Sequence, residues 1–140
     1  MGRRTIELKR DFPMPVAQLF AILSEHEQLS AVLAPAKVTR VCNGHEHRNG
    51  VGSTRLVKGP LAPAIEEQVT DFRENELIQY RITRGAPVRN HLGTMRFSST
   101  ATGSHLHYTI SFETAIPLLG PALEIALGQI IGRGLDKLAA

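Results

Sequence analysis

The sequence predicts a single α+β domain over residues 1–140, in which a seven-stranded antiparallel sheet is covered on one face by a long C-terminal helix. Three observations predict this fold class. Short runs that alternate apolar and polar residues fill most of the chain, which is the period of strands with one solvated face. Clusters of Gly, Asn and Pro separate these runs. The segment from Pro121 to Ala140 changes to the period of an amphipathic helix.

The first elements are predicted to be one strand and two short helices. Thr5–Phe12 alternates apolar and polar residues and predicts the strand. Pro15 suits the first turn of a helix, and apolar residues at helical spacing continue that helix over Val16–Leu23. A second short helix is expected over Glu27–Leu33, and Pro35 ends it.

Six further strands are predicted between the short helices and the C-terminal helix. Two Asn-Gly pairs mark turns in the loop Asn43–Gly50, and Pro-containing loops follow at Gly59–Ala64 (GPLAPA) and Gly85–Asn90 (GAPVRN). The strands are expected at Lys37–Cys42, Val51–Lys58, Ile65–Phe72, Leu77–Arg84, His91–Ser99 and His105–Thr114.

The register of the last hairpin indicates which side chains the C-terminal helix covers. We expect Met95 to pair with Tyr108, and the alternation of strands then assigns the covered face. Since this face is apolar with a few polar groups, it has the usual profile of a small-molecule pocket. The covered face is predicted to carry Ser53, Arg55, Val57, Ile65, Glu67, Val69, Ile78, Tyr80, Ile82, Arg84, His91, Gly93, Met95, Phe97, Leu106, Tyr108, Ile110 and Phe112.

The covering helix contains three glycines, Gly128, Gly132 and Gly134. Each costs about 0.5–1 kcal/mol relative to Ala in a helix interior, so each needs a reason. The glycines mark either close packing of the helix or space for a ligand, and we favour the space.

Five segments carry a resemblance to a known superfamily: DFPMPVAQLFAILSE (11–25), GVGSTR (50–55), EQVTDF (67–72), YRIT-G (80–85) and GSHLHYTISF (103–112). In this order, before a long helix, they resemble the SRPBCC or START-like helix-grip superfamily, and best its bacterial polyketide cyclase/dehydrase-like branch. The resemblance covers nearly the whole chain, although the chain lacks the Trp that relatives often have near Phe72 and Tyr108. It implies a seven-stranded sheet gripping the C-terminal helix over a cavity for lipids, sterols, hormones or polyketides. It implies no catalytic residue.

Our first functional hypothesis is a non-catalytic protein that binds a small hydrophobic molecule such as a lipid, an isoprenoid or a polyketide. The loops Gly59–Ala64 and Gly85–Asn90 would form the gate of its cavity. The expected ligand-binding residues are Tyr80, Ile82, His91, Met95, Phe97, Tyr108, Ile110, Leu127 and Ile130.

Two alternatives stay open. One is a cyclase or aromatase that catalyses aldol condensation and dehydration, in which Arg84 polarises a carbonyl. In that enzyme His91, with Tyr80 or Tyr108, moves protons. The other alternative is a protein-binding module that works through the C-terminal helix.

Arg55 and Glu67 are predicted to be neighbours on the covered face. A buried charge requires a partner, so we interpret them as a structural ion pair and favour this over a role in ligand contact.

The histidines and the cysteine indicate neither a metal site nor a disulfide. His45 and His47 share a loop, and His105 and His107 share the solvated face of one strand. Two ligands at this spacing do not make a zinc site, which needs three or four converging side chains. With Cys42 as the single cysteine, we expect no metal, no other cofactor and no disulfide.

Charge and hydropathy limit the partners. The chain has 16 Lys+Arg against 13 Asp+Glu, without a basic stripe, so nucleic acid is not an expected partner. No stretch is long and apolar enough to span a bilayer, and no targeting signal is recognised, so the cytoplasm is the expected location. A homodimer is left open.

Overall fold

The computed structural model describes residues 2–60 and 63–140, which form a seven-stranded antiparallel sheet with three α-helices. The strands lie in the sheet in the order β1-β7-β6-β5-β4-β3-β2, so the predicted fold class is confirmed. Within these described ranges, no helix has the length and apolar character needed to cross a bilayer. The elements are β1 (Arg4–Phe12), α1 (Val16–Ser24), a 3-10 turn (His26–Gln28), α2 (Leu29–Val32), β2 (Lys37–Cys42), β3 (Thr54–Lys58), β4 (Ile65–Arg73), β5 (Leu77–Arg84), β6 (Arg89–Thr100), β7 (Gly103–Glu113) and α3 (Leu119–Ala139).

The predicted register is correct across most of the sheet. Met95 of β6 pairs with Tyr108 of β7. Arg55 of β3 pairs with Glu67 of β4. Because residues directly opposite each other share a face, these four side chains lie on the same side of the sheet.

The strand β3 and the second helix differ from their predicted bounds. β3 begins at Thr54 rather than Val51, because Gly52 has a φ of 94° and turns the chain before the strand starts. The helix expected over Glu27–Leu33 is a 3-10 turn followed by the four-residue helix α2.

Arg84 does not lie on the covered face, so that part of the prediction is wrong. Ile82 lies opposite Glu67, whereas Arg84 lies opposite Glu66, so β5 has one extra residue at this point. This bulge moves Arg84 to the outer face with Glu66. The Arg84 side chain is 78% exposed, and its Nη2 donates a 3.0 Å hydrogen bond to Glu66 Oε2.

The helix α3 packs against β1 and α2, and Ile131 and Leu135 are its most buried apolar side chains. Lys137 is exposed, as the helical period predicts. An ion pair between Arg10 of β1 and Asp136, with Nε and Oδ1 2.7 Å apart, also joins the helix to the sheet.

Our expectation that the glycines of α3 leave space for a ligand is wrong for Gly134, which close packing requires, and none of the three glycines lines the cavity. A Cβ added at Gly134 would overlap the carbonyl oxygen of Val32 in α2. A Cβ at Gly128 would meet only Ile6 of β1, at 3.9 Å, and one at Gly132 would lie 3.3 Å from Arg10 Nη2.

Candidate functional site

An apolar cavity of about 220 Å³ lies between the covered face of the sheet and α3. The structure brings all but one of the expected ligand-binding residues to its wall. The exception is Phe97, which is buried against Phe20 of α1 with ring centroids 5.0 Å apart. The expected residues on the wall are Tyr80, Ile82, His91, Met95, Tyr108, Ile110, Leu127 and Ile130.

The short helices complete a wall that the sequence analysis did not assign. Leu23 of α1 and Leu29 and Val32 of α2 line the cavity, and Ile131 and Leu135 of α3 extend it. The apolar faces of these helices were visible in the sequence. Their position over the sheet depends on tertiary contacts, so periodicity alone could not place them at the cavity.

The cavity extends to the loops Gly59–Ala64 and Gly85–Asn90, which we predicted as its gate. The described lining residues of these loops are half-exposed or exposed, as are Leu33, Pro35 and Ala36 after α2, whereas Met95 at the sheet is buried. The loops therefore lie on the solvent-exposed side of the cavity wall. Residues 61 and 62 of the first loop lie outside the described residues. The loop residues on the wall are Gly59, Pro60, Ala86 and Val88.

Arg55 and Glu67 place an ion pair on the otherwise apolar wall. Arg55 is 3% exposed, and its Nε donates a 2.8 Å hydrogen bond to Glu67 Oε1. The guanidinium carbon lies 4.8 Å from the centroid of the Tyr80 ring, which is a cation–π distance. Burial disfavours the charged guanidinium, but the Glu67 carboxylate together with Tyr80 and Tyr108 outweighs burial and raises the pKa of Arg55.

Two tyrosine hydroxyls meet beside this pair. The hydroxyls of Tyr80 and Tyr108 form a hydrogen bond with each other. Burial raises the pKa of both phenols, so both stay protonated and neutral. The Tyr80 ring lies over Gly93 of β6, where an added Cβ would overlap it. Gly93 therefore makes room for the ring on the cavity wall.

His91 presents a neutral imidazole to the cavity. Its Nδ1 accepts a 3.1 Å hydrogen bond from the backbone N–H of Ile82, so the neutral ring carries its proton on Nε2. Burial lowers the pKa of His91, although the charge of Glu67 opposes this. His91 is therefore a hydrogen-bond donor through Nε2.

The residues proposed for catalysis are only partly brought together. His91, Tyr80 and Tyr108 line one cavity, but Arg84 lies on the other face of the sheet. The arginine on the cavity wall is Arg55 of β3, two strands away from Arg84 of β5. We interpreted Arg55 as part of a structural ion pair and favoured this over a role in ligand contact.

A buried histidine lies behind the site and was missed by the sequence analysis. His26 is fully buried, and its Nε2 lies 3.2 Å from Ser53 Oγ. Its Nδ1 has no hydrogen-bond partner among the described residues. Burial, together with the charges of Arg55 and Arg40, lowers the pKa of His26 to about 3. His26 therefore stays neutral at ordinary pH.

The histidines of β7 form pairs on the outer face of the sheet. His105 Nδ1 lies 2.7 Å from Asp11 Oδ1, and His107 Nε2 lies 2.7 Å from Glu7 Oε2. In residues 2–60 and 63–140 no group of three or more His, Cys, Asp or Glu side chains is placed to hold a metal ion. That the chain takes no metal stays a prediction.

Comparison with solved structures agrees with this architecture. Ara h 8.0201 has a TM-score of 0.69 and 19% identity, over 96% of this chain and 99% of that chain. A protein from Nitrosospira multiformis has a TM-score of 0.76 and 14% identity, over 98% and 97%. XoxI from Bacillus cereus has a TM-score of 0.69 and 17% identity, over 99% and 94%. At these identities the likeness shows the fold alone.

The family comparison is more specific. No curated protein matches the chain significantly. The model of the family described as polyketide cyclase/dehydrase and lipid transport matches residues 3–140, which is nearly the whole chain. The resemblance stated from the sequence motifs is thereby confirmed. The chain belongs to the polyketide cyclase/dehydrase and lipid transport family.

Proposed function

We propose that this protein binds a small hydrophobic molecule, of the lipid, isoprenoid or polyketide type, in the cavity between the sheet and α3. The observation that carries the proposal is the apolar cavity of about 220 Å³, whose wall includes residues of the two loops. A ligand there would gain about 25 cal/mol for each Å² of apolar surface that it removes from water, before the costs of binding.

The polar groups of the cavity support binding rather than proton transfer. A general base needs a free lone pair that faces the substrate. The Nδ1 lone pair of His91 is occupied by the Ile82 N–H, and the raised pKa of Tyr80 keeps its hydroxyl protonated. The Glu67 carboxylate keeps free lone pairs on Oε2, but its charge is paired with the Arg55 guanidinium, which accounts for Glu67 without a catalytic role. With Arg84 on the outer face, the cyclase hypothesis also loses its proposed polarising group.

The position of α3 weakens the protein-binding alternative. The apolar stripe of this helix faces the sheet and the cavity, so it is not available as a docking surface. A homodimer and a cytoplasmic location stay predictions.

Titration with N-phenyl-1-naphthylamine, a neutral probe that fluoresces in apolar surroundings, tests the proposal. We expect saturable binding of one probe per chain. Leu127→Trp fills the cavity from α3 and should weaken binding by about tenfold or more. Ile125→Trp is the matched control, because Ile125 lies on the same helix but is 63% exposed.

The control should change the affinity by less than about twofold. Absence of saturable binding to the wild-type chain, or equal loss in the two Trp variants, would contradict the proposal.

A further inference from the structure

We propose that the bound molecule carries a neutral carbonyl group, as in a ketone, ester or lactone, and that the Arg55 guanidinium holds this carbonyl inside the cavity. This inference rests on the proposed function and names the chemical class of its ligand. Arg55 is a buried cation on the wall of an otherwise apolar cavity, where a cation needs an acceptor.

Arg55 has hydrogen-bond donors that no neighbouring group uses. A guanidinium has five N–H donors, and the Nε–H of Arg55 is used by Glu67. Residues 2–60 and 63–140 supply no hydrogen bond to its two Nη groups. Among the described residues, the one fully buried side-chain polar atom without a partner is His26 Nδ1, so the Nη groups of Arg55 keep accessible surface. Arg55 lies on the cavity wall, where an acceptor oxygen on the ligand can meet these donors.

The polar groups next to Arg55 on the cavity wall are also mainly hydrogen-bond donors. The pair of hydroxyls on Tyr80 and Tyr108 uses one O–H internally and leaves one O–H free. His91 carries its free proton on Nε2. Against these donors stands one carboxylate, that of Glu67. A ligand group that accepts hydrogen bonds therefore matches this part of the wall better than one that donates them.

The net charge of the polar groups on the cavity wall also favours a neutral ligand. Arg55 and Glu67 form an ion pair with no net charge, and His91 and the two phenols are neutral. A ligand carboxylate would add an uncompensated negative charge next to Glu67 in a buried site, which is costly. A carbonyl oxygen accepts from Arg55 without adding a charge.

Competition against N-phenyl-1-naphthylamine at pH 7.5 with 2-decanone and with decanoate tests the inference. We expect the wild-type chain to bind 2-decanone at least about tenfold more tightly than decanoate. In Arg55→Met/Glu67→Leu, which removes the pair as a whole, 2-decanone should lose about tenfold more affinity than the probe does. The matched control is Arg84→Met/Glu66→Leu, which removes the outer pair and should leave every affinity unchanged.

Glu67→Gln sharpens the charge argument, because it keeps the shape of the side chain and leaves Arg55 without a counter-charge. This variant should shift the preference toward decanoate by about tenfold or more.

The outcomes separate the two proposals. If the probe binds but 2-decanone shows no dependence on Arg55, or decanoate is preferred by the wild-type chain, the carbonyl inference is overturned and the proposed function stands. If neither the probe nor 2-decanone binds the wild-type chain, both are overturned.

Discussion

Two arginine–glutamate pairs join β4 to its neighbouring strands, and they lie on opposite faces of the sheet. Arg55 and Glu67 have their N and O atoms 2.8 Å apart, and Arg84 and Glu66 have theirs 3.0 Å apart. The Arg55 side chain is 4% exposed, whereas that of Arg84 is 78% exposed. Because consecutive strand residues point to opposite faces, adjacent glutamates give one pair inside the cavity and one in solvent.

The difference shows that position, not residue type, decides what such a pair does. In solvent, Arg84 lowers the pKa of Glu66 and the charges are screened. In the cavity, the charge of Arg55 is less screened and helps to lower the pKa of His26. The Arg55 guanidinium also stacks on the Tyr80 ring. Arg55 can therefore contact a ligand inside the cavity, whereas Arg84 on the outer face cannot.

Breaking each pair at its glutamate is the most severe test of this comparison. Glu67→Leu leaves a buried cation without a partner and should lower the free energy of unfolding by about 3–5 kcal/mol. Glu66→Leu leaves an exposed arginine and should behave as an ordinary surface substitution. Urea denaturation measures both. Equal losses in the two variants would mean that the faces are not as different as their exposure indicates.

Acid should weaken the inner region through His26. Its pKa is 6.5 ordinarily and about 3 in the fold, so below pH 6.5 the unfolded chain takes up a proton that the folded chain does not. The free energy of unfolding should therefore fall as pH falls, with His26 contributing about 3 kcal/mol of the loss by pH 4. Denaturation curves across this range should be less pH-dependent for His26→Gln. An unchanged slope in that variant would contradict the assignment.

Displacing Tyr80 should disturb the inner pair from its other side. A Cβ at Gly93 would overlap the Tyr80 ring that covers Arg55, so Gly93→Ala should destabilise the chain by about 1–3 kcal/mol. The near-ultraviolet circular dichroism of the tyrosines should change as well. A variant with wild-type stability and spectrum would show that the ring does not need the space.

The smallest expected effect is on α3, away from both pairs. A Cβ at Gly128 would make one ordinary contact, 3.9 Å from Ile6. Gly128→Ala should therefore raise the free energy of unfolding by about 0.5–1 kcal/mol through helix propensity. The melting temperature reports the change. A lower melting temperature would mean that Gly128, like Gly134, is needed for close packing.

The sequence predicts the fold because strand alternation and the helical period of α3 are local properties. The pairing of Met95 with Tyr108 follows from the same alternation, and it brings most of the expected ligand-binding residues to one wall. Alternation fails at Arg84, because a bulge changes the face without leaving a signal in residue type.

Packing between elements accounts for the other differences. Phe97 has the correct face, but α1 covers it with Phe20, and no local pattern says how far α1 reaches. The glycines of α3 permit two interpretations in the sequence, and the position of Val32 decides for close packing at Gly134. The buried contact between His26 and Ser53 depends in the same way on tertiary packing, which brings the 3-10 turn next to the residue that precedes β3.

Intermolecular nuclear Overhauser effects show whether a hydrophobic ligand enters the cavity. With ¹³C-labelled methyl groups and unlabelled 2-decanone, we predict contacts from the ligand to Met95 on the sheet and to Leu127 and Ile130 on α3. Ile125, on the exposed side of the same helix, should show none. Contacts at Ile125 without contacts at Met95, or no contacts at saturating ligand, would contradict the account.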